Sequence, residues 1–348
     1  YDGRDIVYPD TKLIYWAGGN PFHHHQDLNR LVDAWRKPDT VIVNEPWWTP
    51  VAQWADIVFP ATTSLERSDI CASSHDPYAH YMQPALPPQH DARSDHDIFT
   101  GLAGMLGFAE AFTENKSERD WLRDMWERSQ RLAEQQGFQL PTFEQFESKG
   151  MYRLPEEPRV RDWLANFREN PKRSPLETPS GKLELYSATI AEFGYDDCPG
   201  QASWLEPQEW KETDRSRYPL HLLSPQPKRR LHSQYDQSKY SQDGKIDGRE
   251  VLTMHPDAAA DRRLKAGALV RVFNERGACL AGLSLNARQR KDTVTLPTGA
   301  WFKPCPESGL EQNGNPNVLT RDKGTSRLAQ GPSAHTCLVQ VESIDSVR

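Results

Sequence analysis

The first clear pattern along the chain is a short apolar run, Leu13-Ile14-Tyr15-Trp16-Ala17, closed by Gly18-Gly19-Asn20-Pro21. A run of this length ended by glycine, asparagine and proline predicts a strand feeding a turn. Between Gln26 and Lys37 the apolar positions Leu28, Leu31, Val32 and Trp35 have helical spacing, and Pro38 stops them. Thr40-Val41-Ile42-Val43 predicts a second strand, ended at Asn44-Glu45-Pro46. A short helical segment through Val51 and Trp54 leads to a third strand, Asp56 to Pro60. Strands alternating with helices over short connections predict a parallel sheet.

Residues 95–108 and 117–136 predict helices, the second with Ser117 as N-cap and acidic residues close behind it. Residues 137–180, rich in Pro, Glu and Arg, predict irregular surface-wrapping chain, and 200–218 reads as a linker. After Tyr218 the pattern changes to short alternating strands between Gly, Asn and Asp turns: "PLHLLS", "GALVRVFNERG", "CLAGLSL", "DTVTLPTG" and "TCLVQVE". With one short helix in "HPDAAADRRL", this predicts a compact barrel. The expected fold class is therefore α/β, a parallel-sheet region over residues 1–200 followed by a C-terminal β-barrel domain over 201–348.

Composition narrows the function. The 348 residues carry a net charge of -7, and the Lys-Arg-Arg at 228–230 is the densest basic cluster, so no nucleic-acid groove is expected. No apolar run is long enough for a membrane span. Cys71, Cys198, Cys279, Cys305 and Cys337 are scattered, odd in number and free of CxxC pairs. This argues against a zinc site and against a disulfide framework, and points to a reducing, cytoplasmic compartment, with periplasm as the alternative. Tyr1 is no initiator, so the chain reads as part of a longer polypeptide.

Five segments hold candidate chemistry. In "YWAGGNPFHHHQD" the adjacent histidines cannot all point one way on a strand or helix, which disfavours a metal site built by them. Gly18 and Gly19 lie where a parallel strand delivers its C-terminal end, the edge at which open α/β sheets bind ligands, although a Gly-Gly turn there is also ordinary architecture. Asn44-Glu45 and "PATTSLER" (60–67) end on the same edge. Arg67 suits a phosphate or, equally, a structural ion pair; Asp97 suits a guanine edge or a helix start. "SPQPKRRLHSQ" (224–234) and "GNPNVLTRDKGTSRLAQG" (314–331) are dense in hydrogen-bonding side chains and predict binding loops.

These segments, with "TPSGKLELYS", "FGYDDCPG" and "VRVFNERG", together resemble the dimethyl sulfoxide reductase family of molybdenum enzymes over nearly the whole chain. The resemblance implies bis(molybdopterin guanine dinucleotide) and molybdenum as cofactors and a small S-oxide or N-oxide as substrate. It further implies an electron donor protein and a missing N-terminal half that supplies the metal-ligating serine. No catalytic residue or metal ligand is nominated in this chain. The parallel-sheet region becomes a dinucleotide-binding region, part of a larger split domain, and the barrel a second dinucleotide-binding domain. The implied cofactor contacts are Asn20 and His24, with Asn44, Glu45, Arg67 and Asp97 around the nucleotide end. From the barrel side come Ser224, Gln226, Arg230, His232, Ser233 and Gln234, joined by Asn315, Gln330 and Gly331. Asn313, "SDICAS" and "GREV" depart from the family pattern. One rival reading is a member of the same family with a different oxide substrate, and another is a non-catalytic fragment of such an enzyme.

Overall fold

The computed structural model describes residues 6–73, 75–155 and 163–344. Strands β1 (Leu13–Ala17), β2 (Thr40–Glu45) and β3 (Ile57–Pro60) form a parallel sheet in the order β1-β2-β3. The register pairs Ala17 with Asn44 and Glu45 with Pro60, so all three strands end on one edge. Val41 and Val43 are buried in the central strand, as its unbroken apolar run requires.

Two helices fill the β1–β2 connection. α1 (Pro21–His24) is a single turn that starts on a proline, and α2 (Leu28–Trp35) has Asp27 as its cap, accepting the Arg30 N–H at 3.2 Å. α3 (Pro50–Gln53) joins β2 to β3. The sequence pattern anticipated α2 and α3 but read α1 as loop. Proline at the first helical position, with its φ already helical, nucleates that turn.

The middle of the chain departs from expectation. β4 (Asp69–Ser73), β5 (Asp76–Met82) and β6 (Met151–Arg153) make a small antiparallel sheet that the sequence pattern did not announce. Around it lie α4 (Asp95–Met105), α5 (Ala109–Thr113), α6 (Glu118–Gln135) and α7 (Phe143–Lys149). Ser117 caps α6 in a reciprocal box with Asp120. Residues 137–180 are thus not irregular throughout. Phe143 and Phe146, one helical turn apart, bury α7 against Tyr81 and Trp126, the Trp126 and Phe146 rings stacking at 3.7 Å. Further on come α8 (Ala165–Glu169), α9 (Ala188–Glu192) and α10 (Gln208–Glu212). α10 pins the expected linker to the barrel: Glu209, 2% exposed, pairs with Arg276 and accepts the Leu338 N–H at 3.0 Å.

Six strands then close a barrel: β7 (Leu220–Leu223), β8 (Val251–Met254), β9 (Leu269–Phe273), β10 (Ala278–Leu285), β11 (Thr293–Thr295) and β12 (Leu338–Ser343). They run in the order β10-β8-β11-β7-β12-β9. Leu222, Leu252, Val272, Leu283 and Val339 fill its interior, and the same apolar cluster continues into Phe22, Leu28, Trp35 and Val41 of the parallel sheet and its helices. Phe22 stacks on Phe302 at 5.6 Å and 4°. That continuous core clamps the C-terminal edge of the sheet against the barrel, and the candidate site lies along this seam.

Candidate functional site

Gly18 (φ +86°) and Gly19 (φ +85°) turn the chain off β1 in a conformation that side-chain-bearing residues rarely adopt. α1 follows with its Phe22 and His23 faces inward and His24 outward. Its backbone is stapled from below. Asn317 donates to the His23 carbonyl at 2.6 Å, and Asn315 to the Phe22 carbonyl at 3.1 Å and the Ala300 carbonyl at 2.9 Å. The loop that carries Asn315 is organised by Glu311. This fully buried carboxylate accepts the backbone N–H groups of Lys303, Asn313, Gly314 and Asn315 at 2.7–3.1 Å.

Opposite α1 stands the barrel loop that follows Arg230. Asn20 donates to the Ser233 hydroxyl at 3.3 Å, and the Trp301 indole to the Ser233 carbonyl at 2.8 Å. The His23 and His232 rings meet at 5.4 Å. Between the two walls is a cavity of about 530 Å³. It is lined by Gly19, Asn20, His23, His24, Glu45, Pro46, Trp47, Thr49, His232, Ser233, Gln234, Tyr235 and Trp301. A second cavity, of about 620 Å³, lies on the other side of His24 and includes Gln26, Gln330 and Pro332. His24 is thus a shared wall between them.

Electrostatics in the first cavity favour neutral groups. Burial pushes His23 down to about 4, helped by His232, His24 and Arg230 nearby, and burial also lowers His24. Burial raises the Glu45 carboxyl, against hydrogen bonds from the Thr49 hydroxyl at 3.1 Å and from the Trp47 backbone. Two buried atoms in this wall, Asn20 Oδ1 and His23 Nδ1, have no protein hydrogen-bond partner.

Of the residues singled out in the sequence, Asn20, His24, Glu45, His232, Ser233 and Gln234 come together around this cavity. Gln226 and Arg230 instead border a separate cavity of about 420 Å³ near the barrel strands, and Gln330 borders the one beyond His24, with Gly331 next to it. Arg230 turns inward: its side chain is 2% exposed, 2.7 Å from Glu250 and 3.3 Å from Asp236. A guanidinium so engaged is not presented to a ligand. Asn44 uses its amide between the Tyr15 hydroxyl and Asp95, and Arg67 pairs with Asp69. Asp97 lies on the exposed first turn of α4. Ser224 is buried, its N–H 3.4 Å from the His335 ring. Asn315 sits behind the wall as the staple already described. The sequence pattern passed over His23, Trp47, Tyr235 and Trp301. For His23 the available signal was Pro21, which starts a helical turn and so fixes the histidine that faces inward.

Comparison with known proteins shows the family. Residues 5–105 match the family model described as molybdopterin oxidoreductase, and residues 220–338 the one described as molydopterin dinucleotide binding domain. Biotin sulfoxide reductase of Cereibacter sphaeroides is 47% identical over 344 residues, 99% of this chain and 46% of that protein. The chain belongs to the dimethyl sulfoxide reductase family of molybdopterin oxidoreductases. Trimethylamine-N-oxide reductase of Haemophilus influenzae is 44% identical over 100% of this chain and 43% of its own length. The chain therefore spans less than half the length of the curated relatives it matches. Among solved structures, acetylene hydratase of Pelobacter acetylenicus superposes with a TM-score of 0.69 at 21% identity over 95% of this chain and 44% of that one, a likeness of fold.

Molybdenum with a molybdopterin dinucleotide is the cofactor of this family. The cavity wall suits such a group. A buried acceptor such as Asn20 Oδ1 is costly unless something donates to it, and a pterin or a base carries amino and ring N–H donors. Among the described residues no cluster of three or more His, Cys, Asp and Glu side chains could hold a metal ion.

Proposed function

We propose that this chain is the C-terminal part of a molybdenum S- or N-oxide reductase of the biotin sulfoxide reductase kind, and that it binds bis(molybdopterin guanine dinucleotide) along the seam. The observation that carries the reading is the cavity between the sheet edge and the barrel loop, with two unpartnered buried polar atoms, Asn20 Oδ1 and His23 Nδ1, in one wall. In this reading Asn20 accepts an N–H of the cofactor while its own amide stays on Ser233. His23, held neutral, offers a ring nitrogen without adding charge to the site. Ser233, Gln234 and the protonatable Glu45 provide further hydrogen bonds, and the shared His24 wall lets a long ligand continue toward Gln330. When bound, the cofactor supplies oxygen-atom transfer at its metal. The metal-ligating serine and an electron donor protein are read as lying outside this chain.

A trimethylamine N-oxide reductase is the second reading, because a relative of that name is nearly as similar as the biotin sulfoxide reductase. The test is made on the complete polypeptide. Its molybdenum content is measured by mass spectrometry, and reduced viologen is supplied with biotin sulfoxide, trimethylamine N-oxide or dimethyl sulfoxide. About one molybdenum per polypeptide and dye oxidation with biotin sulfoxide are expected. Oxidation with trimethylamine N-oxide alone would favour the second reading, and neither metal nor turnover would leave a non-catalytic relic.

A further inference from the structure

The seam cavity has an aromatic mouth. Trp47 is 51% exposed and Tyr235 64% exposed, yet their ring centroids lie 6.2 Å apart at 59° and both line the cavity. Two large rings left in water forgo the burial that the other aromatics of the seam obtain. Both are nevertheless held in place. Trp47 lies between Pro46 and Pro50, and its carbonyl accepts the Thr49 N–H at 2.8 Å. Tyr235 has φ +56°, a conformation that a bulky residue adopts only where its surroundings impose it, and His232 in the same loop has φ +52°.

The imposing group is Asp236. Its fully buried carboxylate lies 2.8 Å from Lys245 and 3.3 Å from Arg230 and accepts the Trp301 N–H at 3.1 Å. The barrel loop that follows Arg230 thus carries two left-handed non-glycine residues, His232 and Tyr235, with a buried charge cluster beside them.

We propose that Trp47 and Tyr235 form a stacking corner that grips a flat nitrogen heterocycle at the mouth of the cavity. The proposal rests on the cofactor reading above and names the part of the cofactor that the mouth recognises. At 59° the two faces are not parallel, so a ring that stacks on one meets the other edge to face, both favourable aromatic geometries. Behind them Asn20 Oδ1 awaits a donor, which the amino group and ring N–H of a pterin or of guanine supply. Pterin and base share this chemistry, and the experiment separates them.

The complete polypeptide, produced in a host that makes no molybdopterin, is titrated calorimetrically with guanosine monophosphate and, separately, with neopterin. Trp47→Ala and Tyr235→Ala should each weaken one of the two probes by about 5- to 150-fold, the range for loss of an aromatic stacking partner. Tyr235→Phe should retain the affinity, and so should Trp163→Ala, which removes an even more exposed ring elsewhere. The weakened probe identifies the end of the cofactor that is gripped. Circular dichroism confirms the fold of each variant, and Trp47→Leu replaces any alanine variant that fails to fold. Unchanged affinity for both probes in the Trp47 and Tyr235 variants would overturn the corner alone. An unsubstituted chain that binds neither probe at millimolar concentration would overturn the cofactor reading of the cavity, and the corner with it.

Discussion

Replacing Asp236 with asparagine should cost the chain several kcal/mol, and the structure says why. Asp236, Arg230, Lys245 and Glu250 form a charge-balanced quartet whose side chains are at most 9% exposed. The approach of Lys245 and Arg230 to Asp236 Oδ1 is ionic, off the line of a hydrogen bond, while Oδ2 holds the Trp301 N–H. Asparagine keeps the shape and one acceptor oxygen but leaves two buried cations against one anion. Breaking a buried pair in this way costs about 3–5 kcal/mol. Removing Lys245 as well, in Asp236→Asn/Lys245→Met, restores the balance, because Arg230 retains Glu250. The double variant should then recover about 0.5–3 kcal/mol of the loss, the range for residues in one network. Urea unfolding followed by circular dichroism, extrapolated linearly to water, measures all three proteins. A single variant that loses less than about 1 kcal/mol, or a double variant no better than the single one, would refute the claim that the quartet holds the loop.

Other perturbations follow from the same geometry. Phe22→Ala removes a fully buried ring stacked on Phe302 and should cost about 3–5 kcal/mol in the same unfolding assay. Gly299 has φ +96°, and a Cβ there would lie 2.1 Å from the His232 carbonyl oxygen. Gly299→Ala should therefore destabilise by more than about 1 kcal/mol and displace His232, visible as a shift of its ring resonances. His23 should stay neutral on acidification to about pH 4. Because its folded value lies below the unfolded value of 6.5, its contribution is complete above pH 6.5. It is lost as pH falls toward 4, at up to about 1.4 kcal/mol per unit. Histidine NMR titration of wild type and His23→Gln checks the assignment; a His23 ring that titrates near 6.5 would contradict it.

The parallel sheet was legible because β2 is an unbroken apolar run bounded by Asn44-Glu45-Pro46, and the barrel because its strands alternate between turn residues. The small sheet was not: Asp76 to Met82 mixes Tyr, His and Ala with no clean period, and it is a strand through its pairing with β4 and β6 and its packing against α7. The linker reading of 200–218 failed for a similar reason, since Glu209 acts through Arg276, far away in sequence. At the site, "GGNPFHHH" pointed to His24, which lines the cavity, but gave no sign that His23 faces inward beside it, because a one-turn helix lies below the length that periodicity resolves. The "KRRLHSQ" segment divides for a physical reason. The positive φ of His232 reverses the chain, so that Arg230 faces the buried quartet while Ser233 and Gln234 face the cavity.

The central claim is that the seam between sheet edge and barrel loop holds the cofactor through Asn20. The direct measurement is the amount of guanosine monophosphate released by acid from the complete, purified polypeptide, compared between wild type and Asn20→Leu. Leucine keeps the size of Asn20 but removes both the unpartnered acceptor and the donor to Ser233. The account predicts about two nucleotides per wild-type polypeptide and a clear loss in the variant, with the circular dichroism spectrum unchanged. Full nucleotide content in Asn20→Leu would contradict it.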